Sequence, residues 1–296
     1  MGACKLIDFE SWRASAVAEN EFQTQPIAFA ELEEWLFRDG RFVHRSGGFF
    51  ELAGLRTEAR HPYLDGQEQL VICQRTIAIN GLLIRHTADE CEILLQGRVE
   101  PGNVGGMQLA PTVQSTEANY RRLHGGKPTA FIDHFIADDV TFVYDALQSE
   151  EGSRYLGKYN RNAVRLLGTQ ELEPLANFRW VPFEQIKRAV ETPNILNTDC
   201  RSLLFCLDWK YLTWPRTPFS VAKNDISLLM ARSYSQPLSE AGTTPFEALA
   251  WLARLRAAVG IVSEVVSIEK LGDRKRQNYR KSARSWLLRS PVSCRC

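Results

Sequence analysis

The chain has 296 residues, with 36 Lys and Arg against 35 Asp and Glu, for a formal net charge of +1. That balance leaves no global electrostatic footprint for nucleic acid or an anionic membrane. No apolar run reaches the roughly 18–20 residues that span a bilayer. The start, MGACKLIDFE, has no basic region followed by an apolar one, and the expectation is a cytoplasmic protein. The seven cysteines are scattered without a CxxC pair, and the five histidines show no HxxxH or HxH spacing. Neither a disulfide framework nor a metal site is expected.

Taken in chain order, residues 1–25 read as a helical arm, with Trp12 and Val17 able to share one face. Ala28 to Phe37 reads as a short amphipathic helix, with Phe29, Leu32 and Trp35 near helical spacing. The texture then turns to short β-rich runs at Leu70–Cys73, Ile77–Ile79, Leu82–Arg85 and Cys91–Glu100. Asn80-Gly81 is a candidate hairpin turn between two of them. A polar run follows from Gln96 to Lys127, too polar for a core element. Ala130–Ile136, Val140–Tyr144 and Ala163–Leu167 suggest further strands. Pro182–Val190 and Thr198–Tyr211 read as helices, the segment to Thr244 as a linker, and Phe246–Val259 as a helix started by Thr244-Pro245. A shift of 239 positions aligns Trp12 with Trp251, Ile27 with Val266, Phe29 with Ile268 and Leu32 with Leu271, a weak internal repeat. The basic tail from Arg274 to Arg295 is expected to be solvated.

The polar run holds the candidate chemistry. In a strand ending at Glu100, Ile93, Leu95, Gly97 and Val99 face one way, and Gln96, Arg98 and Glu100 the other. That surface offers an amide, a fork donor and a carboxylate, closed by the turn at Asn103. Thr112, Gln114 and Thr116 follow. Ser115 or Thr116 can cap a helix from Glu117 to Leu123 carrying Asn119 and Tyr120, with His124 a turn beyond and Lys127 after Gly125-Gly126. Two further clusters stand apart, Lys158, Asn160, Arg161 and Asn162 before an apolar strand, and Asn197, Asp199 and Arg201 at a helix start. For the second, plain capping by Asn197 or Thr198 competes with ligand binding.

Together these pieces resemble the NDP-hexose 2,3-dehydratase family. They are HRSGGFFELAGL at 44–55, VEPGN at 99–103, QLAPTVQST at 108–116, NY at 119–120, HGGK at 124–127, NRN at 160–162, FRW at 178–180 and NILNTDCRS at 194–202, in the family's order. Gly97-Arg98 stands where the family usually has Ala-Lys, Ala110 where Ser is common, and Gly48 where a basic residue is usual. The resemblance implies an α+β fold, a Nudix-like mixed β-sheet flanked by helices, lacking the carboxylate-bearing helix of Nudix hydrolases. It implies a helical arm over 1–25, the dehydratase domain over 26–215, and over 216–296 a linker, a helix and the opening of a second repeat.

The implied substrate is a dTDP-4-keto-6-deoxyhexose, losing water across C2 and C3 to give a 3,4-diketo sugar with no redox cofactor and no metal. Under that reading Glu100, Tyr120 and His124 transfer protons, and Lys127 or Tyr120 meets the developing C4 oxyanion. Arg98, Lys158, Arg161 and Arg201 are the candidates for the diphosphate, Asn197 and Asp199 for the thymine or ribose. The other polar residues named above would line the substrate site. A catalytically silent sugar-nucleotide-binding module is the alternative, and a homodimer the expected assembly.

Overall fold

A computed structural model describes residues 8–19, 24–61, 64–122, 125–168, 171–216, 218, 224–236 and 244–271. Its order begins with helix α1 (Phe9–Glu19), a 3-10 turn (Phe29–Glu31), and strands β1 (Trp35–Arg38), β2 (Arg41–His44), β3 (Glu51–Glu58) and β4 (Gln67–Cys73). Strands β5 (Ile79–His86), β6 (Cys91–Val99), β7 (Met107–Ala110) and β8 (Val113–Ser115) follow, then short helices α2 (Glu117–Tyr120) and α3 (Asp133–Ile136). Strands β9 (Tyr144–Ser149), β10 (Tyr159–Leu166) and β11 (Phe178–Pro182) lead to helices α4 (Phe183–Glu191), α5 (Thr198–Cys206), α6 (Trp209–Leu212), α7 (Asp225–Ser235) and α8 (Pro245–Val259). Strand β12 (Val262–Val266) and a 3-10 turn (Ile268–Lys270) close the order.

The α+β class is as expected, built on two sheets. One has the order β1-β2-β3-β12, with β4 on the other edge of β3. The other runs β11-β6-β5-β10-β9, with β7 extending β6 and β8 extending β5. Its β5–β10 pairing is parallel and its remaining pairings are antiparallel. Alternation gives this larger sheet two buried faces. Leu82, Ile84, Ile93, Leu95, Met107, Leu109 and Val164 form one with α1, α4 and α5; Ile79, Leu83, Leu94, Val113 and Ala163 form the other with α3.

Several sequence expectations are corrected. Ala28–Phe37 is not a helix. The strand Trp35–Arg38 pairs with Arg41–His44 across Asp39-Gly40, whose φ values of 51° and 73° suit a two-residue hairpin loop. Asn80-Gly81 is not a turn, because both residues lie inside β5, opposite Asn162-Ala163 and Gln114-Val113. Gly81 is needed there for closeness, since a Cβ would stand 2.4 Å from the Phe135 ring. Ala130–Ile136 holds no strand; its end is α3, with Phe135 only 1% exposed. Thr198–Tyr211 breaks after Cys206, and Asp208 caps the separate turn α6. The supposed linker carries α7, capped by Asn224. Arg274–Arg295 lies outside the described residues.

Candidate functional site

The site is built from polar side chains on the α5 face of the larger sheet. On β5 and β10, Asn80 and Asn162 are register partners among apolar neighbours, and Gln114 on β8 sits opposite Asn80. Asn80, Asn160 and Asn162 are buried. Buried amides are seldom left without hydrogen bonds; Asn160 donates to Glu150 and Asn162 to Gln148, while Asn80 and Gln114 converge on one carboxylate. Asn80 Nδ2 donates to Asp199 Oδ1 at 3.0 Å, and Gln114 Nε2 to Asp199 Oδ2 at 2.7 Å.

Asp199 is placed by the start of α5. Leu109 N donates to Ile195 O at 2.7 Å and Asn197 N to Leu109 O at 3.0 Å, tying the approach to that helix onto β7. Asn197 is the N-cap, its Oδ1 accepting from Cys200 N at 2.9 Å. Its Nδ2 must then donate, and it does so to Gln114 Oε1 at 2.8 Å. Gln114 is thereby oriented with its NH₂ toward Asp199. The chain of amides runs one way because a backbone N–H fixes its start. Of the two readings of the sequence the structure shows the cap, with the free NH₂ of Asn197 spent on Gln114.

Charges surround the carboxylate. Arg98 Nε pairs with Glu100 Oε1 at 2.7 Å while its Nη1 donates to Gln114 O at 3.0 Å. Asn103 Nδ2 holds Arg98 O at 3.0 Å, fixing the turn after β6. Burial pushes the Asp199 carboxyl up to about 6, with Glu150 and Glu100 adding to the rise and Arg98 and Asn80 opposing it. Burial also raises the Tyr155 phenol, which the Glu150 and Asp199 charges reinforce. Asn160 Nδ2 donates to Glu150, and its buried Oδ1 has no hydrogen-bond partner.

The remaining sequence candidates separate from this cluster. Gln96 shares a side of β6 with Leu94 and Arg98, and of the two polar residues Arg98 joins the cluster, its Nη1 reaching Gln114 O beyond the strand. Tyr120 packs with the opposite face of the sheet, and Arg161 there spends its guanidinium on Asp145 at 2.7 Å and Phe135 O at 2.8 Å. Thr112 is 1% exposed; its Oγ1 accepts from Leu83 N and donates to Leu94 O, stitching β5 to β6. Thr116 caps α2, while Asn119 and Lys127 are exposed. Buried Lys158 donates to Thr76 O, burial lowering its ammonium pKa. Arg201 donates to the carbonyls of Leu196 and Val190. His124 lies outside the described residues. Among the described residues no group of three or more His, Cys, Asp or Glu could hold a metal ion, and no helix is long and apolar enough to cross a membrane.

Asn80, Glu150 and Tyr155 were missed by sequence reasoning. Asn-Gly is a hairpin signal, and that signal hides Asn80. A polar residue inside an otherwise apolar β-rich run was the available signal for a lined pocket. Glu150 and Tyr155 carried none.

Residues 6–207 match the family model described as NDP-hexose 2,3-dehydratase. The chain belongs to the NDP-hexose 2,3-dehydratase family. It is 31% identical over 260 residues to a dTDP-4-dehydro-6-deoxy-alpha-D-glucopyranose 2,3-dehydratase of Saccharopolyspora spinosa, covering 86% of this chain and 52% of that one. It is 36% identical over 231 residues to the protein of the same name from Amycolatopsis orientalis, covering 75% and 48%. It thus spans about half the length of the curated relatives it matches. Among solved structures, an ADP compounds hydrolase aligns at a TM-score of 0.32 and 14% identity, over 63% of this chain and 94% of that one. A likeness that low carries no argument. Within the dehydratase family match fall Asn80, Gln114, Asn162 and Asp199, so the cluster lies in the shared region.

Proposed function

We propose that this chain carries out the 2,3-dehydration of a dTDP-4-keto-6-deoxyhexose, eliminating water across C2 and C3 in deoxysugar biosynthesis. The observation that carries this reading is the amide-held carboxylate cluster inside the family match. The C4 ketone acidifies the C3 proton, a base removes it, and the C2 hydroxyl leaves as water. The resulting enol becomes the 3,4-diketone. Such a reaction needs proton-transfer groups in a site shielded from bulk water, and each well-placed one contributes about 10²–10⁴ in rate.

Glu100 belongs to the proton-transfer machinery in this reading, and Arg98, half-buried beside it, meets the diphosphate. The fold is Nudix-like without Nudix hydrolysis, and the protein works in the cytoplasm as a pair of copies with no redox cofactor or metal. Incubation with dTDP-4-keto-6-deoxyglucose should give an intact nucleotide sugar lighter by one water, by mass spectrometry, in the presence or absence of a chelator. Release of dTMP only with added divalent metal would replace this reading by hydrolysis. Binding without consumption would replace it by a silent binding module.

A further inference from the structure

The Asp199 carboxylate is held from both sides, each oxygen accepting one amide N–H. One donor is locked through Asn197 to the Cys200 backbone, and the other, Asn80, also donates to Asn162 Oδ1 at 3.3 Å. No cation neutralises it within ion-pairing distance among the described residues, in contrast to Glu100. Asn160 stands two residues before Asn162 on the same side of β10, and its Oδ1 is a buried acceptor without a donor. Buried acceptors are seldom left unmet, and a ligand hydroxyl would meet this one. An anchored, unneutralised carboxylate therefore lies on the same sheet face as a vacant acceptor.

We propose, resting on the dehydratase reading above, that Asp199 is the base that takes the C3 proton while Asn160 Oδ1 accepts a hydrogen bond from a sugar hydroxyl. An Asp199 oxygen lone pair forms the new O–H bond as the C3–H bond breaks. The electrons left on C3 form C3=C4, and the C4 carbonyl pair moves to oxygen. When the C4 carbonyl re-forms, C2=C3 forms and the C2–O bond breaks. Asp199 hands its proton to the departing oxygen, which leaves as water. Tautomerisation then moves the O3 proton to C2, and the carboxylate is ready again. Oriented N–H donors that do not move during the reaction suit a base of this kind, because they hold its position through both transfers.

The raised Asp199 titration fits the same step. A base is most effective when its pKa approaches the working pH. The titratable and charged groups facing Asp199 are Glu150 beyond β9, Glu100 and Arg98 at the end of β6, and Tyr155 beside β4. Cys200 and Arg201 flank it on α5.

The test is steady-state dehydration of dTDP-4-keto-6-deoxyglucose by the full chain as a function of pH, with C3–H exchange followed in D₂O. The kcat/KM of the wild type should rise tenfold per pH unit to a midpoint near 6 and then level. Asp199→Asn should lower kcat by roughly 10²–10⁴-fold and stop C3–H exchange, with dTDP still bound. Asp199→Glu should restore part of the exchange, and Asn160→Leu should raise KM more than it lowers kcat. A wild-type profile flat across that range, or near-normal exchange in Asp199→Asn, would overturn the assignment and leave the dehydratase reading standing. No dehydration by the wild type at any pH would overturn both.

Discussion

A single carboxyl sets a stability cost that can be measured apart from chemistry. Asp199 titrates near 6 in the fold against 3.8 for an unperturbed aspartate. Its folded form therefore holds the proton more tightly than the unfolded chain does. Its contribution to stability is complete below about pH 4 and is lost as pH rises through about 6. At about 1.4 kcal/mol per pKa unit the loss amounts to about 3 kcal/mol. In denaturant melts, the unfolding free energy of the wild type relative to Asp199→Asn should fall by that order between about pH 4 and pH 7. Parallel profiles for the two proteins would show that Asp199 is not perturbed. Such a cost, carried by one residue in a polar cluster, is what functional sites commonly impose on a fold.

Among elements, β12 shows how much of the architecture rests on pairing distant in sequence. On one edge of β3, β2 covers Glu51 and Leu52, and β12 takes over from Gly54 to Glu58. Removing residues from Gly260 onward would bare that edge beside buried Ala53 and Leu55, and uncovered strand edges pair with other chains. The shortened protein should aggregate during refolding or show concentration-dependent sheet formation by light scattering and circular dichroism. Clean monodisperse refolding would mean β12 is dispensable. Helix α1 makes the complementary point. Eleven residues are marginal as an isolated helix, and Trp12, 5% exposed over Gly97, anchors it.

Strands with alternating or apolar runs, β4 and β6, were legible in the sequence, as were α4 and the Thr244-Pro245 start of α8. Local signals misled where tertiary pairing decided the outcome. WLF has helical spacing with its upstream neighbours, yet the Asp39-Gly40 loop folds it back as β1. Asn80-Gly81 has the composition of a turn and instead pairs on both sides within a sheet. The site was legible in part: Gln114, Asn162, Asn197 and Asp199 stood among the candidates. That Asp199 and not Tyr120 shares their face depends on sheet alternation across strands far apart in sequence.

For the molecule as a whole, the two segments related by a shift of 239 positions share some elements and not others, β12 having no corresponding strand at 24–27. The 3-10 turns Phe29–Glu31 and Ile268–Lys270 fall at equivalent positions, and α1 corresponds to α8. Their tryptophans differ in fate, Trp12 being buried and Trp251 56% exposed, with Phe246 and Leu249 also open on α8. An apolar stretch of that kind is ordinarily covered by association. A twofold pair of chains is the arrangement we propose to cover it. Light scattering at micromolar concentration should give twice the chain mass, and Trp251→Ser should shift the equilibrium to the single chain. A single-chain mass for the active wild type would refute this assembly.

The clamp between Gly40 and the second 3-10 turn, where Ile268 N donates to Gly40 O at 2.8 Å, bears on how the protein is made. With the chain emerging from the ribosome at about 5–20 residues per second, β1 to β4 wait for the synthesis of every element between Cys73 and Val262 before the strand that completes their sheet appears. Contacts so far apart along the chain slow the search for the native state. Until Val262–Val266 has emerged, Gly54 to Glu58 of β3 have no partner on that edge, and completion of the sheet is tied to the synthesis of residues far along the chain.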